Sequence, residues 1–106
     1  MQKYTLHSLL FETLTEYNTN LQTLLQLINN TSKNSLIVAP EVCLTGFDYD
    51  NFEDVADFAS VAIEEIKKVS ANKIIILTMI EKVDDKFYNT AKVIHNEVVV
   101  YERSKA

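Results

Sequence analysis

The 106-residue chain holds one glycine, one proline, one cysteine and no tryptophan. Each scarcity removes a class of function. A single glycine leaves no way to write a Walker A loop or a Rossmann G-x-G-x-x-G turn, so neither nucleotide cradle is available. A lone cysteine forms no internal disulfide, and no Cys/His cluster has zinc spacing. The expectation is a cytoplasmic chain with neither metal nor cofactor. Positive charge is also short: 10 Lys and Arg stand against 15 Asp and Glu, for a net charge of -5. That is the reverse of a nucleic-acid surface, and Lys67–Lys68 reads as a solvated helix face rather than a basic patch. No apolar run approaches the roughly 18 residues of a membrane span. The opening MQKYTLHSLLF has no small-residue cleavage site, so a signal peptide is not expected.

What is present is an ordinary globular balance, with 47% apolar and 24% charged residues, enough for one small domain over residues 1–106. YTLHSLLF, residues 4–11, reads as a strand. Thr13 followed by Glu16 fits a capping box, and Leu14, Tyr17, Leu21, Leu24 and Ile28 form one helical stripe. Residues 36–39 form a short apolar strand. Asp50 or Asn51 caps a second helix with the stripe Val55, Phe58/Ala59, Ala62, Ile66 and Val69. KIIILTMIE, residues 73–81, is a buried strand. Turns at 83–86 and 95–97 then separate strands at 88–94 and 97–102. The order is β-α-β-α-β-β-β, an α/β (α+β) arrangement with three parallel strands followed by two hairpin-linked ones. Two helices cover one face of such a sheet, yet the strands are apolar on both. The pattern therefore calls for something over the second face: another sheet, a partner subunit or further sequence.

The scarce residues are concentrated. Pro40, Cys43 and Gly46 all fall in "LIVAPEVCLTGFDY" (36–49), and Glu41 directly follows the proline. Proline removes a ladder donor and fixes φ, so the chain leaves the sheet there in a set direction. Groups just beyond the C-terminal ends of strands are where open α/β sheets gather chemistry. If the closing hairpins alternate in direction, Lys105 reaches the same edge as Glu41. A carboxylate and an ammonium meeting there form an acid/base and electrostatic pair. Taken alone, PExxxxG is equally a sharp turn, and Lys105 a solvated lysine near the end of the chain. His7, His95 and the pair Asp84-Asp85 lack partners at catalytic spacing and read as packing, surface and turn residues.

These two stretches resemble the nitrilase, or carbon–nitrogen hydrolase, superfamily in its N-terminal portion. "LIVAPEVCLTGFDY" looks like its first motif, Asn20-Leu21 like the Asn-Leu often found in its first helix, and "KVIHNEVVVYERSKA" like the strand–turn–strand that leads into its lysine. The resemblance implies the N-terminal part of an α-β-β-α sandwich. It also implies cleavage of non-peptide C–N bonds in a small-molecule amide or nitrile through a cysteine thioester. Glu41 would then be the general base and Lys105 the oxyanion stabiliser. A homodimer or larger oligomer of the intact protein is implied too, with neither nucleic acid nor membrane as partner. Two features depart from the pattern. Three residues separate Tyr101 from Lys105 where the family often has one, which makes Arg103 a competing match by spacing, though a poor proton handler. The family's nucleophile lies downstream of the lysine, whereas the only thiol here is Cys43, which reads as a buried, inert side chain. The expectation is a partial domain that is inactive alone. The alternatives from other classes are a flavodoxin- or receiver-like signalling domain and a non-catalytic interaction module on the same scaffold.

Overall fold

A computed structural model describes residues 3–105; the leader reading of the N-terminus begins at Met1, outside them. Its elements are β1 (Thr5–Ser8), α1 (Tyr17–Asn29), β2 (Ser35–Val38), α2 (Phe52–Lys68), β3 (Lys73–Val83), β4 (Lys86–His95) and β5 (Val98–Lys105). They make one five-stranded sheet in the order β1-β2-β3-β4-β5. β1, β2 and β3 are parallel, and β4 and β5 follow antiparallel. Each helix connects neighbouring parallel strands. Two crossovers of one hand that step the same way along a sheet put both helices on one face. The core bears this out: Leu21, Leu24 and Ile28 of α1 and Ala59, Ala62 and Ile66 of α2 cluster with Ile37, Ile75, Leu77, Met79 and Ile94 of the sheet. A flavodoxin- or receiver-type domain keeps its strands parallel in the order 2-1-3-4-5 with helices on both faces. This sheet excludes that alternative.

Four details differ from the sequence reading. The first strand ends at Ser8, not residue 11; Leu9 and Phe11 turn to pack on the core while Leu10 is 94% exposed. The capping box does not form. Glu16 itself caps α1, accepting from the Asn18 and Thr19 amides at 3.2 and 2.8 Å, which leaves Leu14 outside the helix and exposed. α2 starts after a 3-10 turn at Tyr49–Asn51 with Asn51 at its cap, but Asn51 makes no side-chain capping bond. β5 runs on to Lys105, three residues beyond the expected end at 102. The two hairpin turns place Asp84 and Asp85 (φ 50 and 65) and Asn96 and Glu97 (φ 49 and 68) in the left-handed region. Two consecutive positive φ values match the twist of a two-residue hairpin.

The register shows what the helices leave open. Leu6, Leu36 and Ile74 lie side by side across β1–β3, and Val38, Ile76, Val93 and Tyr101 across β2–β5. These face away from the helices. Leu6 remains 66% exposed and Tyr101 58%. The second apolar face of the sheet therefore lies bare, as the run of consecutive apolar strand residues required.

Candidate active site

The site begins where β2 stops. Pro40 has no amide to continue the ladder, and residues 41–45 form a turn that carries Glu41 past the strand end. Val42 adopts φ +46, and its amide donates to Thr78 Oγ1 at 2.7 Å. A left-handed conformation costs a β-branched residue on the order of 1–2 kcal/mol. Burial of its side chain against Val55 and Ile80 offsets that strain. Strained backbone of this kind tends to collect at functional sites. Gly46 closes the turn at φ +70, its amide donating to the Val42 carbonyl at 2.8 Å. A Cβ there would meet Thr13 Cγ2 only at 3.7 Å, so the backbone conformation, not lack of room, calls for glycine.

Two ties hold this turn from outside. Thr13 Oγ1 donates to the Cys43 carbonyl at 3.1 Å. The fully buried Asn20 donates from Nδ2 to the carbonyls of Leu44 (2.9 Å) and Leu14 (2.8 Å), and its Oδ1 accepts from the Leu14 amide (2.8 Å). One amide side chain thus joins the start of α1, the segment before it and the loop that bears Glu41.

Glu41 and Lys105 emerge at the same edge of the sheet. β5 runs antiparallel to β4 and so in the direction of β2 and β3, with Lys105 at its C-terminal end opposite Asn89. Both side chains are exposed, and both line two adjoining recesses. One, of about 310 Å³, is bounded by Glu41, Thr78, Asn89, Arg103, Ser104 and Lys105. The other, of about 330 Å³, adds an aromatic wall containing Phe47, Tyr49, Phe52 and Phe87. Among the described residues no ion pair joins Glu41 to either cation. Arg103 lies opposite Ala91, two residues inward along β5, and reaches only the first recess. Asn89 Oδ1, buried at the floor shared by both, has no hydrogen-bond partner. An orphan acceptor of this sort is rare in a finished interior.

Cys43 points the other way. Its side chain is fully buried in the helix-side core, and burial pushes the thiol up to about 11. A reactive cysteine needs the opposite, a stabilised thiolate. Tyr17, whose hydroxyl donates to Asp48 Oδ2 at 2.6 Å, is raised to about 12, first by that hydrogen bond and then by burial. Both groups fold in their neutral forms and both pKa values are raised. Their contribution is therefore complete below the ordinary values of 9.0 and 10.0 and is lost as pH climbs through about 11 and about 12. Urea midpoints are expected to stay level up to about pH 8.5 and then fall steadily, with the onset about one unit later in Cys43→Ala. Rapid reaction of the folded chain with a thiol reagent at pH 8 would contradict the burial of Cys43.

The histidines sit apart from this edge. His95 Nδ1 lies 2.8 Å from the Lys73 carbonyl, and His7 is half-buried in β1. Lys92, on the helix-side face of β4, is tied to Glu81 (2.7 Å) and Glu102 (2.6 Å) and is not a rival for Lys105. Sequence reasoning missed Thr78, Asn89 and the aromatic wall. Only the Asn20-Leu21 pair carried a signal for the tie made by Asn20.

No protein-family model and no curated protein sequence matches the chain. Solved structures do. Glutamine-dependent NAD+ synthetase from Acinetobacter baumannii superposes with a TM-score of 0.85 at 19% identity, over 99% of this chain and 21% of that one. A carbon–nitrogen hydrolase from Helicobacter pylori gives 0.82 at 13% identity, over 96% and 39%. Nit3 of Saccharomyces cerevisiae, a nitrilase-superfamily member, gives 0.70 at 19%, over 89% and 40%. The chain thus has the fold of a portion of these proteins and spans between about a fifth and two fifths of their length.

Proposed function

We propose that this chain is the Glu- and Lys-bearing N-terminal portion of a hydrolase that cleaves non-peptide C–N bonds in small amides or nitriles. The observation that carries this reading is the convergence of Glu41 and Lys105 on one recess at the C-terminal edge of the sheet. For an amide, Glu41 takes the proton of a cysteine thiol, and the thiolate attacks the amide carbon. The Lys105 ammonium stabilises the oxyanion that develops. The tetrahedral intermediate expels ammonia or an amine, protonated from Glu41, and leaves a thioester. Water, deprotonated by Glu41, then releases the acid and restores the thiol.

The thiol comes from outside residues 1–106, because the only cysteine within them is buried and protonated. The bare apolar face of the sheet is covered by a second sheet from the same polypeptide, which completes an α-β-β-α sandwich. That layer also removes Glu41 and Lys105 from bulk water, where their electrostatic effect is weak. The intact protein is a cytoplasmic amidase-like homodimer or larger oligomer that needs neither cofactor nor metal.

Ammonia release from simple amides is the test. The 106-residue chain is expected to give none. The gene product in its source cells is expected to be heavier than 106 residues and to hydrolyse amides, with loss of activity on thiol alkylation. A natural product ending at Ala106, or Glu41-dependent turnover by the short chain, would overturn the proposal; the first result favours an interaction module.

A further inference from the structure

We infer that the recess beside Glu41 takes a flat, neutral, apolar group, so that the favoured substrates are amides of aromatic or aryl-alkyl acids. The amide part of this statement rests on the hydrolase reading; the ring-binding part does not. Four aromatic side chains run in an unbroken series along one side of the recess. Ring centroids are 6.0 Å apart for Phe47 and Tyr49, 5.4 Å for Tyr49 and Phe52, and 5.4 Å for Phe52 and Phe87. The series spans the loop after Glu41, the start of α2 and the start of β4. The far end is buried work: Phe52 and Phe87 pack on the small cluster of Val42, Val55 and Ile80. The near end is not, with Phe47 43% and Tyr49 74% exposed next to Glu41 and Lys105.

Those two exposed rings are not needed to hold the loop. Asp48 does that, accepting from Tyr17 Oη at 2.6 Å and from Asn51 Nδ2 at 3.0 Å. Backbone bonds from Tyr49 to Phe47 (3.1 Å) and from Asn51 to Asp48 (3.0 Å) set its course. A pinned loop that presents two open aromatic faces is a preorganised stacking surface, and it loses little conformational freedom when a ring docks. Charge then narrows the ligand. The recess itself is lined by one carboxylate, Glu41, and one ammonium, Lys105, and the nearby Lys82 is already tied to Glu53 at 2.7 Å. The opposite charges of Glu41 and Lys105 balance, so the aromatic part of the recess favours neither an anionic nor a cationic substituent and suits a neutral ring. The dimensions also fit: about 330 Å³ holds one benzene-sized group with an amide directed toward Glu41 and Lys105.

Saturation-transfer NMR on the 106-residue chain tests this without any turnover, using phenylacetamide, propionamide and glycinamide as probes. Phenylacetamide is expected to receive saturation through its ring protons and to bind at least about tenfold more tightly than propionamide. Tyr49→Ala is expected to weaken it roughly three- to tenfold, the worth of one aromatic contact. Tyr49 is mostly exposed, so this change spares the fold; Phe47→Ala is a second probe of the same surface, with dispersion of the amide spectrum as the folding control. Equal binding of phenylacetamide and propionamide, indifference to Tyr49→Ala, or tighter binding of cationic glycinamide would each overturn the inference. The hydrolase reading stands or falls separately, by ammonia release from the natural product.

Discussion

Asn20→Leu is expected to destabilise the chain by about 2–4 kcal/mol, a large part of what a domain of this size has to lose. The leucine matches the site in bulk but not in chemistry. It strands the buried Leu44 carbonyl and unties both backbone groups of Leu14. The two bonds to Leu14 lie nearer the surface and count for less, because water can replace them. With a urea dependence of about 1–1.5 kcal/mol per molar, the midpoint should fall by about 1.3–4 M. Asn20→Asp supplies a sharper diagnostic. An ionised carboxylate there sets negative oxygen against the carbonyls of Leu14 and Leu44, whereas the protonated acid still donates one bond. The folded pKa of the new Asp is thereby raised, so its stability is present at acid pH and lost as pH rises through the folded value. A variant that is more stable at pH 4 than at pH 7, relative to the parent, identifies the two carbonyls as the cause. Unchanged midpoints in both variants would mean that the loop bearing Glu41 does not depend on this tie.

On the hydrolase proposal, Glu41→Gln in the longer natural protein is expected to lower kcat by roughly 100- to 10,000-fold, the usual worth of a general base. Glutamine preserves the shape and much of the polarity but cannot accept the thiol proton. Because Glu41 is exposed and makes no hydrogen bond that holds the turn, the fold should be unaffected. Lys105→Arg is expected to restore little of what Lys105→Ala loses. A guanidinium on the same strand position presents a wider planar fork rather than a compact ammonium. The measurement is kcat and KM for a simple primary amide, with thermal midpoints to confirm folding. A Glu41→Gln enzyme within about tenfold of the parent would remove Glu41 from the role of base.

The turn after Pro40 also limits what Cys43 can be. It lies two residues from Glu41 in sequence, but the turn sends the two side chains apart: the carboxylate to the open edge, the thiol into the helix-side core. Spacing alone permitted contact, since residues i and i+2 share a side in an extended segment. The left-handed step at Val42 breaks that alternation. The cysteine belongs to the packing of the domain.

The element order, the parallel-then-antiparallel sheet and the edge at which Glu41 and Lys105 emerge were already legible in the chain's residues. These follow from local signals. Apolar residues recurring at steps of three and four mark the buried stripes of α1 and α2, and Pro40 marks where β2 must end. Helical crossovers and tight turns then fix strand direction without any long-range information. The residues also exposed the shortfall of cover on the second face of the sheet, because strands apolar on both sides outnumber what two helices can bury. Long-range packing set the rest. Glu16 displaced Thr13 as the cap of α1 because Thr13 found a partner in the Cys43 carbonyl, far away in sequence. β1 stopped early because its parallel partner β2 is itself only four residues long. Thr78 became the support of Val42, Asn89 the floor of the recess, and Phe87 the end of an aromatic series begun at Phe47. Each of these depends on which residues the sheet register and the loop packing bring face to face. Periodicity along the chain records which side of an element is buried, but not which distant residue will meet it there.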